Sequence, residues 1–248
     1  MRHAARCAED LVFPRRCPVC DEPVKPFGAL ICTACGEKLA GKELSPQRDA
    51  LCCRCGKPVA APEQELCRDC EEREHFFRRG SAVYRYRDVS GMLYRLKYEG
   101  RAEYADFLGK KMAERLREDF DPEQLDALVP VPVSGERLRK RGYNQAALLA
   151  KAVAEETGIS LRGDLLIRQN RTAALRNMSA RERRRNLKNA FIVPDIDVES
   201  KRIMLVDDIF TTGATIDACA RELLRAGAAE VLFLTAAIGE DSGQHGTG

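Results

Sequence analysis

The sequence predicts an α/β protein in which helices flank a mostly parallel sheet, joined to a small cysteine-rich domain. One observation is that short apolar runs, such as 203–206 and 230–236, alternate with amphipathic stretches of helical periodicity. Such runs suit strands buried on both faces of a parallel sheet. The other is the crowding of ten of the eleven cysteines into the first seventy residues. We expect a cysteine-rich domain over 1–78, an α/β domain over 79–238 and a disordered Gly-rich tail over 239–248.

The N-terminal cysteines form four Cys-x2-Cys pairs, and the second half of the set repeats the first at an offset of 35 residues. The pairs are Cys17 and Cys20, Cys32 and Cys35, Cys52 and Cys55, and Cys67 and Cys70. Two such pairs complete a closed, structural Zn2+ site without an open position for a catalytic water. We expect two zinc ions held by sequential pairs, since each repeat is then self-sufficient, with interleaved pairs as the alternative. Disulfides are disfavoured if the thiols are reduced.

The elements after residue 78 follow from periodicity and from the positions of glycine and proline. The predicted strands are 82–86, 126–133, 159–161, 165–167, 203–206 and 230–236. The predicted helices are 89–98, 104–116, 144–157 and 215–226. Pro130 and Pro132 exclude a fully paired central strand beyond Val129 and indicate a rigid turn. Asn144 is placed to cap the helix that follows it.

The run 203–215 carries the most specific motif of the chain. A strand of four apolar residues precedes two adjacent carboxylates, Asp207 and Asp208, which we expect to be exposed at the strand end. A loop that opens the next helix follows, consisting of Thr211, Thr212, Gly213, Ala214 and Thr215. Backbone N–H groups and hydroxyls at a helix N-terminus suit a phosphate, whereas carboxylates suit sugar hydroxyls or a metal. A phosphorylated sugar satisfies both halves of the motif.

This run resembles the phosphoribosyl-pyrophosphate (PRPP) motif of type I phosphoribosyltransferases. The resemblance implies a type I phosphoribosyltransferase-like sheet, PRPP as ligand, and Mg2+ bound with it. The stretch 131–135, which includes Val133 and Ser134, resembles the pyrophosphate loop of amidophosphoribosyltransferases. Arg168–Arg171 and the basic run after it occupy the place of that family's flexible catalytic loop. Lys97 is then either a diphosphate contact or a lysine that lies along its own helix surface.

A broader resemblance, covering roughly residues 15–238, is to the ComF family, which joins zinc modules to a phosphoribosyltransferase-like domain. The residues that carry it are 96–98 with 100–101, 131–133, 141–145, Thr172, Arg183, Asn186, 190–191 and 203–215. The family usually has Gln three residues after the matched Thr, where this chain has Leu175. The resemblance implies a role in natural transformation and the handling of single-stranded DNA.

Positive charge is concentrated in one segment of a chain whose net charge is only +3. Between Ser134 and Phe191 there are fourteen Lys or Arg and five Asp or Glu, a local charge of +9. The candidates for contact with a nucleic acid or another anion are Arg139, Lys140, Arg141, Arg183, Arg184 and Arg185. The alternative is a set of solvated surface arginines. Only Tyr143 and Phe191 are aromatic in this segment, which favours contacts with a nucleic-acid backbone over base stacking.

The composition excludes a membrane span, because the apolar runs are far shorter than the ~18 residues that a span requires. The first twenty residues lack the apolar core of a secretory signal, so we expect a cytoplasmic protein.

Two functional hypotheses follow. The first is a phosphoribosyltransferase whose acceptor the sequence does not name. The second is a nucleic-acid-binding accessory protein, acting with competence or DNA-processing proteins, that keeps the PRPP site for sensing.

Overall fold

The computed structural model describes residues 14–169 and 190–239. The helices are α1 (Thr33–Leu39), α2 (Arg68–Glu72), α3 (Tyr86–Tyr98), α4 (Tyr104–Asp119), α5 (Gly135–Arg141), α6 (Gln145–Thr157) and α7 (Ala214–Arg225). The strands are β1 (Arg79–Arg85), β2 (Ala127–Pro130), β3 (Ile167–Arg168), β4 (Phe191–Ile192), β5 (Arg202–Phe210) and β6 (Glu230–Ile238). None of the helices in these ranges is long and apolar enough to cross a membrane.

Four strands form the main sheet in the order β1-β6-β5-β2, and every pairing in it is parallel. The sheet is apolar on both faces because successive residues of a strand point to opposite sides. Along β5, Ile203 and Leu205 pack on the face that α7 covers, whereas Met204 and Val206 pack on the other. Helices α3, α4 and α6 cover that second face. The predicted α/β class is confirmed.

The cysteine-rich region consists of two copies of one turn, as the sequence repeat predicts. Cys17 N–H donates to the carbonyl of Glu22 at 2.8 Å, and Cys52 N–H donates to the carbonyl of Lys57 at 2.7 Å. Each copy then places a helix directly after its third cysteine, α1 after Cys32 and α2 after Cys67. The 35-residue offset is therefore preserved in the backbone hydrogen bonds as well as in the sequence.

The two cysteine modules pack against the α/β part in different ways. All four cysteines of the second module belong to the same apolar core as β5 and α7. The first module has a small core of its own, formed around Cys17, Val24 and Cys35. It docks through Asp21, whose carboxylate pairs with Arg101 at 3.0 Å. The second module thus shares the core of β5 and α7, whereas the first keeps a small core of its own and contributes Leu39 to the core on the other face of the sheet.

The structure differs from the predicted elements in three places. Residues 159–161 form only an isolated bridge between Leu161 and Leu128. Strand β3 belongs to a separate antiparallel pair with β4, not to the main sheet. Residues 135–141, for which no helix was predicted, form α5, because Ser134 caps this helix by accepting from Arg137 N–H at 3.3 Å. The tail after 239 and the basic run 181–185 lie outside the described residues.

Candidate functional site

The cysteines of each module converge in one four-sulfur cluster. One cluster contains Cys17, Cys20, Cys32 and Cys35, and the other contains Cys52, Cys55, Cys67 and Cys70. All four sulfurs of a cluster lie within 4.8 Å of one another. A tetrahedral Zn2+ with Zn–S bonds of about 2.3 Å requires sulfurs about 3.8 Å apart, so each cluster fits zinc. The structure groups the cysteines as the sequential pairing predicts, not as the interleaved one does.

Exposure distinguishes the two clusters. All four sulfur-bearing residues of the second cluster are buried, whereas in the first Cys20 is exposed and Cys32 is half-buried. Cys53, the alternative ligand next to Cys52, is exposed and lies outside the cluster. A chelator therefore has easier access to the first module than to the second.

A cleft of about 290 Å3 lies at the C-terminal edge of the main sheet, where ligands of parallel α/β folds commonly bind. Its lining combines residues from α3, the loop after β2, α5, the start of α6, β3, the end of β5 and the loop before α7. Of the predicted PRPP-binding residues, those that line it are Lys97, Val133, Asp207, Asp208, Thr211 and Thr215.

Asp207 and Asp208 lie within β5, and the prediction that both are exposed is wrong. Only 7% of Asp208 is exposed, and its carboxylate forms an ion pair with Lys97 Nζ at 2.8 Å. Burial and the neighbouring Asp208 carboxylate raise the pKa of Asp207 to about 8. The strand extends past the two acids because Asp207 and Ile209 keep their register with β6.

The raised pKa of Asp207 predicts a pH effect on stability. The folded state holds this proton up to about pH 8, whereas the unfolded chain releases it near pH ~4, so stability falls as pH rises through that window. Asp207→Asn removes the effect. We expect the variant to be more stable than the wild type by about 1–2 kcal/mol at pH ~9 and nearly equal at pH ~4, after allowing for screening in an open cleft. Urea unfolding at both pH values measures this.

The control is Asp164→Asn, since Asp164 is exposed and pairs with Arg162 at 2.8 Å, which lowers the pKa of the carboxyl. This variant should show no gain at high pH. An Asp207→Asn variant with the same pH dependence as the wild type would show that Asp207 ionises normally in the folded protein.

The loop 211–215 forms the start of α7 beside the acids. Gly213 is the N-cap residue in the left-handed conformation, with φ of 74°, and no side chain of the described residues caps the helix. A Cβ at this position would lie 3.0 Å from the Phe210 ring, so the turn requires glycine. Thr212, Gly213 and Ala214 line a small hollow of about 40 Å3 together with Thr211 and Thr215. The uncapped N–H groups of a twelve-residue helix there suit an anion.

His75 and Asp217 lie directly behind this loop, and the sequence analysis assigned no role to His75. The ring Nδ1 of His75 lies 2.6 Å from the Asp217 carboxylate, and Phe76 N–H donates to the same carboxylate at 3.0 Å. The ring is stacked on Phe77 at 4.6 Å and only 1% of its side chain is exposed. Asp217 is in the first turn of α7, so the segment that follows the second zinc module braces the loop. No local motif surrounds His75, because its partner is 142 residues away.

The loop after β2 is held by side-chain hydrogen bonds. Asn144 caps α6 by accepting from Ala146 N–H at 3.1 Å, and its amide donates to the carbonyl of Val131 at 3.0 Å. Val133 lines the cleft. Ser134 is outside the lining, and its hydroxyl caps α5 instead. The predicted N-cap role of Asn144 is confirmed, and the same residue fixes the loop.

Three arginines line the cleft, and two of them were not singled out as ligands. Arg141 was a candidate, whereas Arg137 and Arg168 enter the cleft from α5 and β3. Burial and the neighbouring Arg137 lower the pKa of Arg168, so the two guanidinium groups repel each other. Arg139 and Lys140 are exposed and lie outside the lining. An anion in the cleft would relieve the repulsion between Arg137 and Arg168.

Gln145 offers a hydrogen-bond donor to the cleft. It lines the cleft with only 2% of the residue exposed, and its oxygen accepts from Arg141 at 2.9 Å. Its Nε2 atom is buried without a hydrogen-bond partner among the residues that the structure describes. A buried donor of this kind is usually satisfied, so a ligand oxygen in the cleft would complete its hydrogen bonding.

Comparison with known proteins gives matches over most of the chain. A family model described as a double zinc ribbon domain matches residues 8–71. The DNA utilization protein YhgH of Salmonella typhimurium is 32% identical over 225 residues, which cover 89% of this chain and 96% of that protein. The competence protein ComFC of Bacillus subtilis is 30% identical, with 80% of each chain covered. Competence protein F of Haemophilus influenzae is 30% identical over 73% of this chain and 81% of that protein.

Among solved structures, a purine phosphoribosyltransferase from Pyrococcus horikoshii overlaps 54% of this chain and 72% of its own, with 20% identity and a TM-score of 0.35. The adenine phosphoribosyltransferase of Leishmania tarentolae overlaps 56% and 70%, with 18% identity and a TM-score of 0.33. The match to YhgH over nearly its full length and the matches to the competence proteins over 73–80% of this chain, with the double zinc ribbon, show that this chain belongs to the ComF family.

Proposed function

We propose that this protein binds PRPP with Mg2+ in the cleft at the end of β5, acts as a phosphoribosyltransferase-type protein in the cytoplasm, and serves DNA uptake or DNA metabolism. One observation supports this most: a pair of acids, an uncapped helix start and four cationic side chains surround the same cleft of about 290 Å3. PRPP carries a monophosphate, two ribose hydroxyls and a diphosphate. These three parts correspond to the helix start, the pair of acids and the cationic side chains of the cleft.

Each part of PRPP has a counterpart in the cleft. The loop 211–215 would hold the 5-phosphate through backbone N–H groups and hydroxyls. Asp207 and Asp208 would accept hydrogen bonds from the ribose hydroxyls. The diphosphate would lie against the loop 131–135, where Lys97 and the cleft arginines supply positive charge. The repulsion between Arg137 and Arg168 and the unpaired amide of Gln145 both support an anionic, oxygen-rich ligand.

The donor set also fits Mg2+, because carboxylates and phosphate oxygens are the hard ligands that this ion prefers. Asp207 and Asp208 are the protein groups that would hold it. When bound, the ion would neutralise the diphosphate as it leaves. The residues of the cleft would position C1 of the PRPP ribose and stabilise the positive charge that develops on this carbon, with the acids closest to the ribose. Closure of the basic segment would exclude water and so prevent hydrolysis.

The link to DNA comes from the relatives, whose names describe DNA utilization and competence. The local charge of +9 between Ser134 and Phe191 is compatible with a role in DNA handling, as are Arg139 and Lys140, which lie outside the cleft. A second function is therefore considered: a non-catalytic nucleic-acid-binding accessory protein that uses the PRPP site for sensing. The two functions differ in what the basic run 181–185 contacts.

The salt dependence of binding separates the two functions. If Arg183, Arg184 and Arg185 contact nucleic-acid phosphates, replacing all three with Ala should flatten the log–log salt slope of single-stranded DNA binding by about 2 units. Sequence preference should change little, because phosphate contacts carry no base information. If the arginines serve only closure over the diphosphate, the variant should instead lose PRPP affinity or turnover and keep the slope. Anisotropy titrations at several salt concentrations measure this.

A charge-matched control removes three exposed arginines that each pair with a carboxylate, namely Arg68, Arg78 and Arg225. It should leave the slope nearly unchanged. Competition then tests overlap: PRPP should displace the DNA partially, since the basic segment is longer than one diphosphate requires. A wild-type protein without salt-sensitive DNA binding at low ionic strength would eliminate the accessory function.

A further inference from the structure

Two exposed tyrosines lie beside the cleft on a surface that the sequence analysis did not consider for nucleic acid. Tyr94 and Tyr98 are 55% and 54% exposed and follow one another by one turn near the end of α3. Their ring centroids are 5.1 Å apart. Large aromatic side chains are costly to leave in water, and a pair that is adjacent and more than half exposed is a candidate contact surface.

Arg141 joins these rings to the basic helix α5. Its guanidinium carbon lies 5.0 Å from the centroid of the Tyr98 ring, and it also donates to the Tyr98 hydroxyl at 3.3 Å. A second hydrogen bond, to Gln145 at 2.9 Å, fixes the guanidinium from the other side. The planar group is thus held in place next to the aromatic pair instead of moving freely in solvent.

Two further cationic residues directly precede Arg141 on α5. Arg139 and Lys140 lie in the same last turn of α5 and are exposed. Within the described part of the chain, neither forms an ion pair with a carboxylate. Stacking surfaces flanked by cations are the arrangement with which proteins bind single-stranded nucleic acids, because every base has a π-face and every linkage a phosphate.

The aromatic residues of the +9 segment itself are already engaged in the fold. The Tyr143 hydroxyl donates to the carbonyl of Leu96 at 2.7 Å, and Phe191 is 1% exposed beneath Arg168. Base stacking would therefore require aromatic side chains from a different element. The surface formed by Tyr94, Tyr98 and Arg141 is continuous with the cleft, because Tyr98 and Arg141 also line the cleft.

We infer that Tyr94, Tyr98 and Arg141 form a stacking platform for the bases of single-stranded nucleic acid, whose phosphates lie along Arg139 and Lys140. The inference rests on the proposed role of this protein in DNA handling and names the surface that performs it. A strand held there passes the mouth of the cleft, so bound PRPP and bound nucleic acid are neighbours on the same edge of the sheet.

The test compares stacking variants with wild-type protein in anisotropy titrations on a labelled oligothymidylate. Tyr94→Ala with Tyr98→Ala should weaken binding at least about tenfold, while the salt slope stays unchanged because no phosphate contact is removed. Tyr94→Phe with Tyr98→Phe should restore binding, since the rings remain. Tyr86→Ala is the matched control: this tyrosine is 42% exposed on the same helix, two turns earlier, and its loss should have no effect.

An abasic oligonucleotide of the same length identifies the contact. Wild type and the double Ala variant should bind it equally, because it offers phosphates but no bases. Unchanged affinity of the folded, zinc-loaded double Ala variant for oligothymidylate would overturn the inference. So would competition by free thymidine monophosphate as strong as that by the oligonucleotide, because the surface would then be a small-molecule subsite. Calorimetry with PRPP on Tyr94→Ala alone keeps the two proposals separate, because Tyr98 lines the cleft and Tyr94 does not. Weaker oligothymidylate binding with intact PRPP binding by this variant leaves the cleft assignment standing.

Discussion

Cys55→Ser should abolish cooperative folding of the whole protein, whereas Cys20→Ser should leave the α/β part folded. Cys55 is fully buried in a cluster that shares its core with β5 and α7, whereas Cys20 is exposed in the first module, whose cysteines surround a small core of their own. Structural zinc contributes about 10–16 kcal/mol of apparent binding energy to the folding of small zinc domains, which exceeds the stability of most proteins. Each variant should retain at most one Zn2+ per chain, measured by metal analysis alongside thermal unfolding.

Cys53→Ser is the matched control for this pair, since Cys53 is next to Cys52 in sequence but exposed and outside the cluster. It should keep two zinc ions and the unfolding transition of the wild type. Chelation of wild-type protein should remove zinc from the first module before the second. A wild-type protein without zinc and with disulfides, detected by mass spectrometry, would refute the metal assignment.

Asp207→Asn should weaken PRPP binding by roughly tenfold to a hundredfold while making the free protein more stable at high pH. At pH ~9, where Asp207 is ionised, the lost affinity reflects charge-assisted hydrogen bonds to ribose, worth about 1.5–3 kcal/mol. The gained stability reflects removal of a buried charge next to Asp208, since burial and the Asp208 carboxylate together raise the pKa of Asp207 to about 8. Because the two effects have opposite signs, unfolding cannot explain a loss of binding.

Asp208→Asn gives a less direct test, since it leaves Lys97 without its ion-pair partner in a site where only 18% of the lysine side chain is exposed. We expect that variant to lose about 1–3 kcal/mol of stability in addition to any binding effect. Asp164→Asn, an exposed acid outside the cleft, should bind PRPP as the wild type does. An Asp207→Asn variant with unchanged PRPP affinity would remove the ribose assignment.

The parts of this protein that were predictable from the sequence are those specified by local repetition. The 35-residue cysteine repeat predicts two clusters, and short apolar runs predict the parallel sheet, because burial on both faces leaves little choice of residue. The turn at Gly213 is also a local feature, because its φ of 74° excludes most residues other than glycine. These features require no knowledge of distant contacts.

The features that the sequence did not predict depend on residues far apart along the chain. The ion pair of Lys97 with Asp208 and the contact of His75 with Asp217 join elements more than a hundred residues apart. Asp207 and Asp208 are not exposed because β5 continues past them. It does so by pairing with β6, which is also nine residues long. The proposed stacking platform was not predictable in this way, because Tyr98 lies 43 residues before Arg141, which it contacts.

Calorimetric titration of the zinc-loaded protein with PRPP in the presence of Mg2+ tests the central claim most directly. The cleft predicts a single saturable site per chain, with weaker binding of ribose 5-phosphate and of diphosphate alone, since each occupies only part of it. Omission of Mg2+ should weaken PRPP binding, and Asp207→Asn should weaken it further. A folded protein with both zinc ions that gives no saturable heat with PRPP, or that binds it equally after Asp207→Asn, would contradict the assignment of this cleft.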